Sequence, residues 1–144
     1  MKVGPGNAII NKTDLLDNRS KFTEIECKRA QHVIGENDRV QGAKAALDSG
    51  DFDTFGRLMN ESRNSLRDDY HVSCAELDQL VDIARSCPGV SGSRMTGGGF
   101  GGCTVTLVRQ THIEQLKQTI DKEYSGNATF ITAFAADGAR SLKL

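Results

Sequence analysis

The apolar spacing of this chain switches at Pro88-Gly89, and the switch limits the folds open to it. Before it, apolar residues return every three or four positions, as on one face of a helix. Ile25, Ala30, Val33, Ile34, Val40, Ala43 and Leu47 form a first stripe, which begins after Phe22 and stops at Gly50. Phe52, Phe55, Leu58, Met59, Ser62 and Leu66 form a second, with Asp53, Arg57, Glu61, Arg63 and Arg67 opposite, and it runs out near Asp69 and Tyr70. Ser73 and Glu76 have capping-box spacing and open a third helix with Leu77, Leu80, Val81 and Ala84 inward. Pro88 ends it, because proline cannot continue the hydrogen-bond ladder.

Beyond the switch, Val90 to Met95 and Cys103 to Val108 read as strands joined by a loop from Thr96 to Gly102. Thr111 and Glu114 repeat the capping-box spacing ahead of a fourth helix with the face Ile113, Leu116, Ile120 and Tyr124. Ser125-Gly126-Asn127 breaks that helix, and Ala128 to Phe134 reads as a final strand before a turn at Asp137-Gly138 and a tail carrying Leu142 and Leu144. The expected fold class is α+β, with helices packed on one face of a mainly antiparallel sheet that ends in a ferredoxin-like β-β-α-β element. Residues 1–20, mixed and polar around Gly4, Pro5 and Gly6, are expected to be irregular, or a short edge element, ahead of one domain over 21–144.

Charge and cysteine usage exclude several functions. With 18 Lys and Arg against 19 Asp and Glu, the net charge of -1 offers no field for nucleic acid or an anionic membrane. No apolar run approaches the roughly 20 residues of a membrane span, and Met1 to Asn18 has no apolar signal core, so a cytoplasmic protein is expected. Cys27, Cys74, Cys87 and Cys103 lie far apart with no CxxC pair, and His32, His71 and His112 are scattered. Idle or buried thiols, ordinary histidines and no metal site are the expectation.

Sharp chemical content is confined to Ser93 to Cys103, where five glycines surround Phe100. Gly97, Gly99 and Gly102 formally satisfy GxGxxG, but the dinucleotide-binding version opens a helix and here a strand follows. A protein-kinase glycine loop does lie between strands, yet no HRD or DFG element accompanies it. As a passive hairpin the loop needs glycine only for positive φ, and five glycines cost backbone entropy that such a turn has no reason to accept. Close approach of another backbone or of a phosphate accounts for them better. Gly99, beside the aromatic ring, has the least room; as part of a surface tip it is expected to bear substitution without loss of the fold. Arg94 reads as an ion-pair or surface residue, with an anion partner as the alternative. Ser65 to Ser73 reads as a solvated helix end, or as a helix N-terminus aimed at a ligand or partner. Adjacent Asp68 and Asp69 face different ways and make no acid/base pair, so no catalytic residue is assigned.

Gly92 to Val105 resembles the third signature motif of the GHMP small-molecule kinases, in their galactokinase branch. Arg29 to Asn37, Gly56 to Ser62, Ser65 to Tyr70 and Ala135 to Ala139 resemble that branch in the same order, so the likeness runs from about Lys21 to the end. It implies transfer of the ATP γ-phosphoryl group to the anomeric hydroxyl of galactose, with Mg²⁺, between two lobes. In that family the catalytic aspartate, its arginine partner, the sugar-recognition segment and the main phosphate loop belong to the N-terminal half. No GEHTDYN-like or PxxxGLGSSA-like segment is found here. The resemblance therefore implies a C-terminal half, inactive without a separate N-terminal half, whose residues Gly97, Gly98, Gly99, Gly101 and Gly102 help shape the nucleotide site. ATP and Mg²⁺ are the implied cofactors, and galactose is the implied substrate. The alternatives are an N-acetylgalactosamine kinase fragment, or a non-catalytic module that senses galactose or nucleotide or docks to a kinase.

Overall fold

Thr23 and Glu26 close a reciprocal capping box, each side chain bonding the other's backbone N–H, and from it grows the longest helix of the chain, α2 (Glu24–Asp48). In this computed structural model, which describes residues 11–136 and 138, α2 follows a short α1 (Lys12–Asp17). It precedes α3 (Phe52–Asp68), α4 (Ala75–Ser86), β1 (Val90–Thr96), β2 (Cys103–Val108) and α5 (Ile113–Glu123). Gly50, at φ +71°, supplies the left-handed step between α2 and α3, and the Asp51 side chain caps α3 by accepting from Thr54 N–H at 2.9 Å.

Two of the expected caps do not form. Helix α4 begins after Cys74, so Ser73 lies outside it and donates instead to the Asp78 carboxylate at 2.9 Å. Helix α5 begins after one 3₁₀ turn (Gln110–His112), in which the Thr111 hydroxyl pairs with His112 Nδ1, while Glu114 takes Lys117. Over residues 11–20 the expected irregular start contains α1, because Asn11 and Asp14 form a capping box of their own. Packing does not break at residue 20 either: Leu15 of α1 is 2% exposed.

Strands β1 and β2 pair antiparallel, with a bulge at Ser91 between Val90↔Val108 and Gly92↔Leu107. Helices α4 and α5 cover one face, where Ile83, Ala84, Cys87, Leu116 and Ile120 pack with Val90 and Val108. Helix α3 packs along β1 on the opposite face, the one carrying Gly92 and Arg94, and reaches its outer edge through Asn60. A Cβ on Gly56 would stand 2.3 Å from Ser91 O, and one on Gly92 would stand 2.4 Å from Gly56 O, so only two glycines allow this backbone contact. The Asn60 side chain then accepts from Ser93 N–H at 3.1 Å and donates to Ser91 O at 3.4 Å, bonding the edge of β1 as a neighbouring strand would.

The α+β class stands, and the last strand of the β-β-α-β element is corrected. Residues 128–134 carry no regular secondary structure and belong to no ladder among the described residues. Ala128 and Phe130 pack on the α4–α5 cluster while Thr129 and Ile131 are exposed, a strand's alternation without a strand's backbone partner. The first apolar stripe also differs: Ile25, Val33, Val40 and Leu47 are exposed, and Cys27, His32 and Ala46 are the buried residues of α2. Helix α2 packs on α3 and, through Leu15, on α1, and among the described residues nothing covers its Ile25, Val33, Val40 and Leu47 side chains. The tail residues Leu142 and Leu144, like residues 1–10, lie outside the described residues.

Candidate functional site

The β1–β2 connection carries positive φ at Gly97, Gly99, Gly101 and Gly102, and at Phe100 (φ 59°), a non-glycine residue for which that conformation is uncommon. What holds it is a contact with the turn ahead of α4. Phe100 N–H donates to Val72 O at 2.7 Å, and Val72 itself is presented by His71 at φ 57°. A Cβ on Gly99 would lie 2.2 Å from Val72 O and 3.1 Å from Met95 Cε. Gly99 is thus the fixed point of the loop and packs inside this domain. The expectation that it bears substitution as a free tip is overturned.

Gly97, Gly98, Gly101 and Gly102 have the opposite surroundings, with nothing within 4 Å of where a Cβ would stand. Four of the five sequence-derived glycines therefore form an open backbone surface next to the exposed Phe100 ring, and the fifth anchors it.

Arg94, at the base of the loop, is not free for an anion. Its Nη1 donates to Ser62 Oγ at 2.6 Å and lies 3.5 Å from Glu36 Oε2; Glu36 also receives Arg39 Nε at 2.5 Å and Ser62 Oγ at 2.9 Å. Burial works against ionisation of Glu36, but the hydrogen bonds from Arg39 and Ser62 outweigh it and hold the carboxyl below its ordinary range. The network ties α2, α3 and β1 together beneath the loop.

Ser65 to Ser73 is a satisfied helix end. Ser65 Oγ donates to Asp69 and meets His32 Nδ1 at 3.0 Å, and Arg29 donates to Asp69 O at 2.8 Å. The His32 ring stacks on Tyr70 at 4.4 Å between centroids. Asp68 pairs with Arg67, so the two aspartates form no acid/base pair. Cys27 and Cys87 are buried and Cys103 exposed, all free thiols. Among the described residues no group of His, Cys, Asp and Glu is placed to hold a metal ion. Sequence reasoning missed the Val72 anchor, the Gly56–Gly92 contact and Asn60. Of these only Gly56 left a signal, as a glycine inside a helix, where it costs stability unless packing requires it.

The family model described as GHMP kinases C terminal matches residues 43–126, more than half of the chain. The chain belongs to the GHMP kinase C-terminal family. Within that family it is 62% identical to a galactokinase of Canis lupus familiaris over 115 residues, which is 80% of this chain and 29% of the relative. It is 58% identical to one of Homo sapiens over 117 residues (81% and 30%), and 43% identical to one of Clostridium acetobutylicum over 122 residues (82% and 31%). The chain thus corresponds to the C-terminal domain of galactokinase-type kinases and spans about 30% of the length of the curated relatives it matches. A crystal structure of Lactococcus lactis galactokinase complexed with galactose superposes with a TM-score of 0.74 at 38% identity, covering 78% of this chain and 29% of that one. L. major mevalonate kinase in complex with R-mevalonate, at TM-score 0.62 and 22% identity over 76% of this chain and 32% of that one, shares the fold.

Proposed function

We propose that residues 21–144, with α1 packed on them, form the C-terminal lobe of a galactokinase-type sugar kinase that transfers the ATP γ-phosphoryl group to galactose. The observation that carries this reading is the 62% identity to a mammalian galactokinase along 80% of the chain. ATP, when bound, supplies the phosphoryl group, and the loop's chemistry suits it: Gly97, Gly98, Gly101 and Gly102 present backbone without side chains, so a phosphate or a phosphate-holding loop can approach closely. Gly99 and Phe100 hold that surface in place through Val72, and the Glu36–Ser62–Arg94 network steadies the strand that leads into it. No step is assigned to Mg²⁺, since no described residues group as its ligands. The base that would accept the sugar's proton also has no candidate among these residues. A cytoplasmic location belongs to the same reading; no described helix is long and apolar enough to cross a membrane.

Alone, the chain should phosphorylate nothing. Joined to the portion of the dog galactokinase that it does not match, it should restore galactose-dependent ADP formation, because positioning and charge stabilisation need both lobes. Turnover by the chain alone, or none after joining, would overturn the reading, and N-acetylgalactosamine offered in parallel separates the two sugar kinases. The exposed stripe Val33, Val40 and Leu47 favours a second reading, a non-catalytic sensing or docking module. A stoichiometric complex that consumes no ATP would support it.

A further inference from the structure

Val72 O sets the glycine loop, since it accepts from Phe100 N–H at 2.7 Å and leaves no room for a Cβ on Gly99. Val72 in turn needs holding from both sides. It follows His71 in the left-handed conformation (φ 57°), which an L-residue keeps only where its neighbours fix it. On one side α3 does so: Val72 N–H donates to Leu66 O at 3.1 Å, and His71 Nε2 meets Asp68 O at 2.9 Å. On the other side the usual device is missing, because Cys74, the N-cap of α4, makes no side-chain cap bond. Ser73 takes its place by donating to Asp78 Oδ1 at 2.9 Å, in the first turn of α4.

Behind Asp78 stands Arg63 of α3, whose side chain is only 5% exposed. Its Nη2 lies 3.4 Å from Asp78 Oδ1 and donates to Asp82 Oδ1 at 2.8 Å, so one nitrogen joins two carboxylates a helical turn apart on α4. Nη1 donates to Asn64 Oδ1 at 3.3 Å, and Nε is buried with no partner among the described residues. Arg67, a turn further along α3, is taken up by Asp68 through both Nε and Nη2. Stability gives no reason for an arginine at position 63. Burying a guanidinium is costly, one of its nitrogens goes unpaired, and the Asp82 side chain that faces it is 62% exposed, where water weakens the attraction. An apolar side chain would fill the same space without that penalty. What only the guanidinium supplies is direction: between two carboxylates it fixes the rotamer of Asp78, and with it the oxygen that receives Ser73.

We propose that Arg63 and Asp78 are positioning residues for phosphoryl transfer: through Ser73 and Val72 they fix the glycine loop where it borders the phosphates of ATP. The path is continuous. It runs from Arg63 to Asp78 to Ser73, one residue along the backbone to Val72, and across to Phe100 and Gly99. Neither Arg63 nor Asp78 comes within 4 Å of a Cβ position on Gly97, Gly98, Gly101 or Gly102, so the two act on where that open backbone stands. A loop that drifts misplaces the nucleotide rather than the sugar, because a surface of backbone without side chains suits phosphate. The proposal rests on the reading of the chain as one lobe of a galactokinase-type kinase.

Arg63→Met, Ser73→Ala, the two together, and Ser73→Thr test it, in this chain and in a chimera in which the chain replaces the matched part of the dog galactokinase. In the chain, hydrogen exchange at the Phe100 amide should quicken by about tenfold or more in Arg63→Met and in Ser73→Ala. The Arg109 amide, bonded to Gly89 O at the other end of the hairpin, should change little. In the chimera each of the two should raise KM for ATP by about fivefold or more, leave KM for galactose within about twofold and keep a cooperative melt. The double variant should lose no more than the worse single one, because both changes cut one path. Ser73→Thr, which keeps the hydroxyl, should behave as the parent. Unchanged Phe100 exchange, equal shifts in both KM values, additive losses in the double variant, or a chain that Arg63→Met unfolds would each overturn it, the last by making Arg63 a stability residue. Kinase activity separates the two ideas. An active parent chimera with unchanged kinetics in the variants removes the positioning role and leaves the functional reading. An inactive parent chimera with fast Phe100 exchange in the variants removes the functional reading and leaves the hold of Arg63 on the loop.

Discussion

Replacing Gly99 by alanine tests whether the glycine loop is anchored within this domain or is only a tip. Two costs add at that position. A left-handed conformation at φ +82° costs an L-residue about 1–2 kcal/mol. A Cβ 2.2 Å from Val72 O cannot remain there, so the loop must shift, losing the 2.7 Å bond from Phe100 N–H. That loss and the strain of overpacking add roughly 2–3 kcal/mol. The total of about 3–5 kcal/mol corresponds to a fall in melting temperature on the order of 10 °C for a domain of this size. Gly98 is the control, since it has nothing within 4 Å of its Cβ position and no positive φ; Gly98→Ala should stay within about 0.5 kcal/mol of the parent. Urea unfolding of the two variants side by side measures the difference. If Gly99→Ala unfolds within about 1 kcal/mol of Gly98→Ala, the anchoring through Val72 is wrong.

Further outcomes follow from the same geometry. In the two-lobed chimera, Gly98→Val should leave the melt unchanged but lower kcat/KM by about tenfold or more if the open glycines face the phosphate site; activity within about threefold would make the loop a passive turn. Gly56→Ala should destabilise the chain by roughly 3 kcal/mol or more in urea titration, because its Cβ would meet the Ser91 carbonyl at 2.3 Å. Asn60→Ala, which unpairs Ser93 N–H and Ser91 O, should cost about 1–3 kcal/mol by the same assay. Burial lowers the pKa of His32 from the ordinary 6.5, with Arg39 and Arg29 adding to it and Glu36 and Asp69 opposing. The unfolded chain therefore binds that proton at a higher pH than the folded one, and the stability contributed above pH 6.5 is lost as pH falls below it. Denaturation between pH 7.5 and 5.5 should show this decline in the parent and a flatter profile in His32→Gln; identical slopes would exclude His32 as its source.

The helices and the hairpin were legible because their signals are local. Stripes at three and four placed α2 to α5 nearly residue for residue, and alternation after Pro88-Gly89 placed β1 and β2. The glycine loop announced itself by composition, since only close approach or positive φ repays five glycines. Capping was less secure: spacing alone named Ser73 and Thr111, but a nearby Asp78 and His112 won those side chains. Whether Ala128 to Phe134 is a strand depends on a backbone neighbour, which no residue within the segment specifies. The exposure of Val33, Val40 and Leu47 likewise depends on what stands beyond α2, not on their spacing. The contacts that shape the site join residues far apart in the chain: Phe100 to Val72, Asn60 to Ser93, Arg94 to Ser62 and Glu36. Periodicity describes which face of an element turns inward. Which atoms that face meets is decided only when separate elements come together, and for this chain that step turned Gly99 from a loop tip into an anchor.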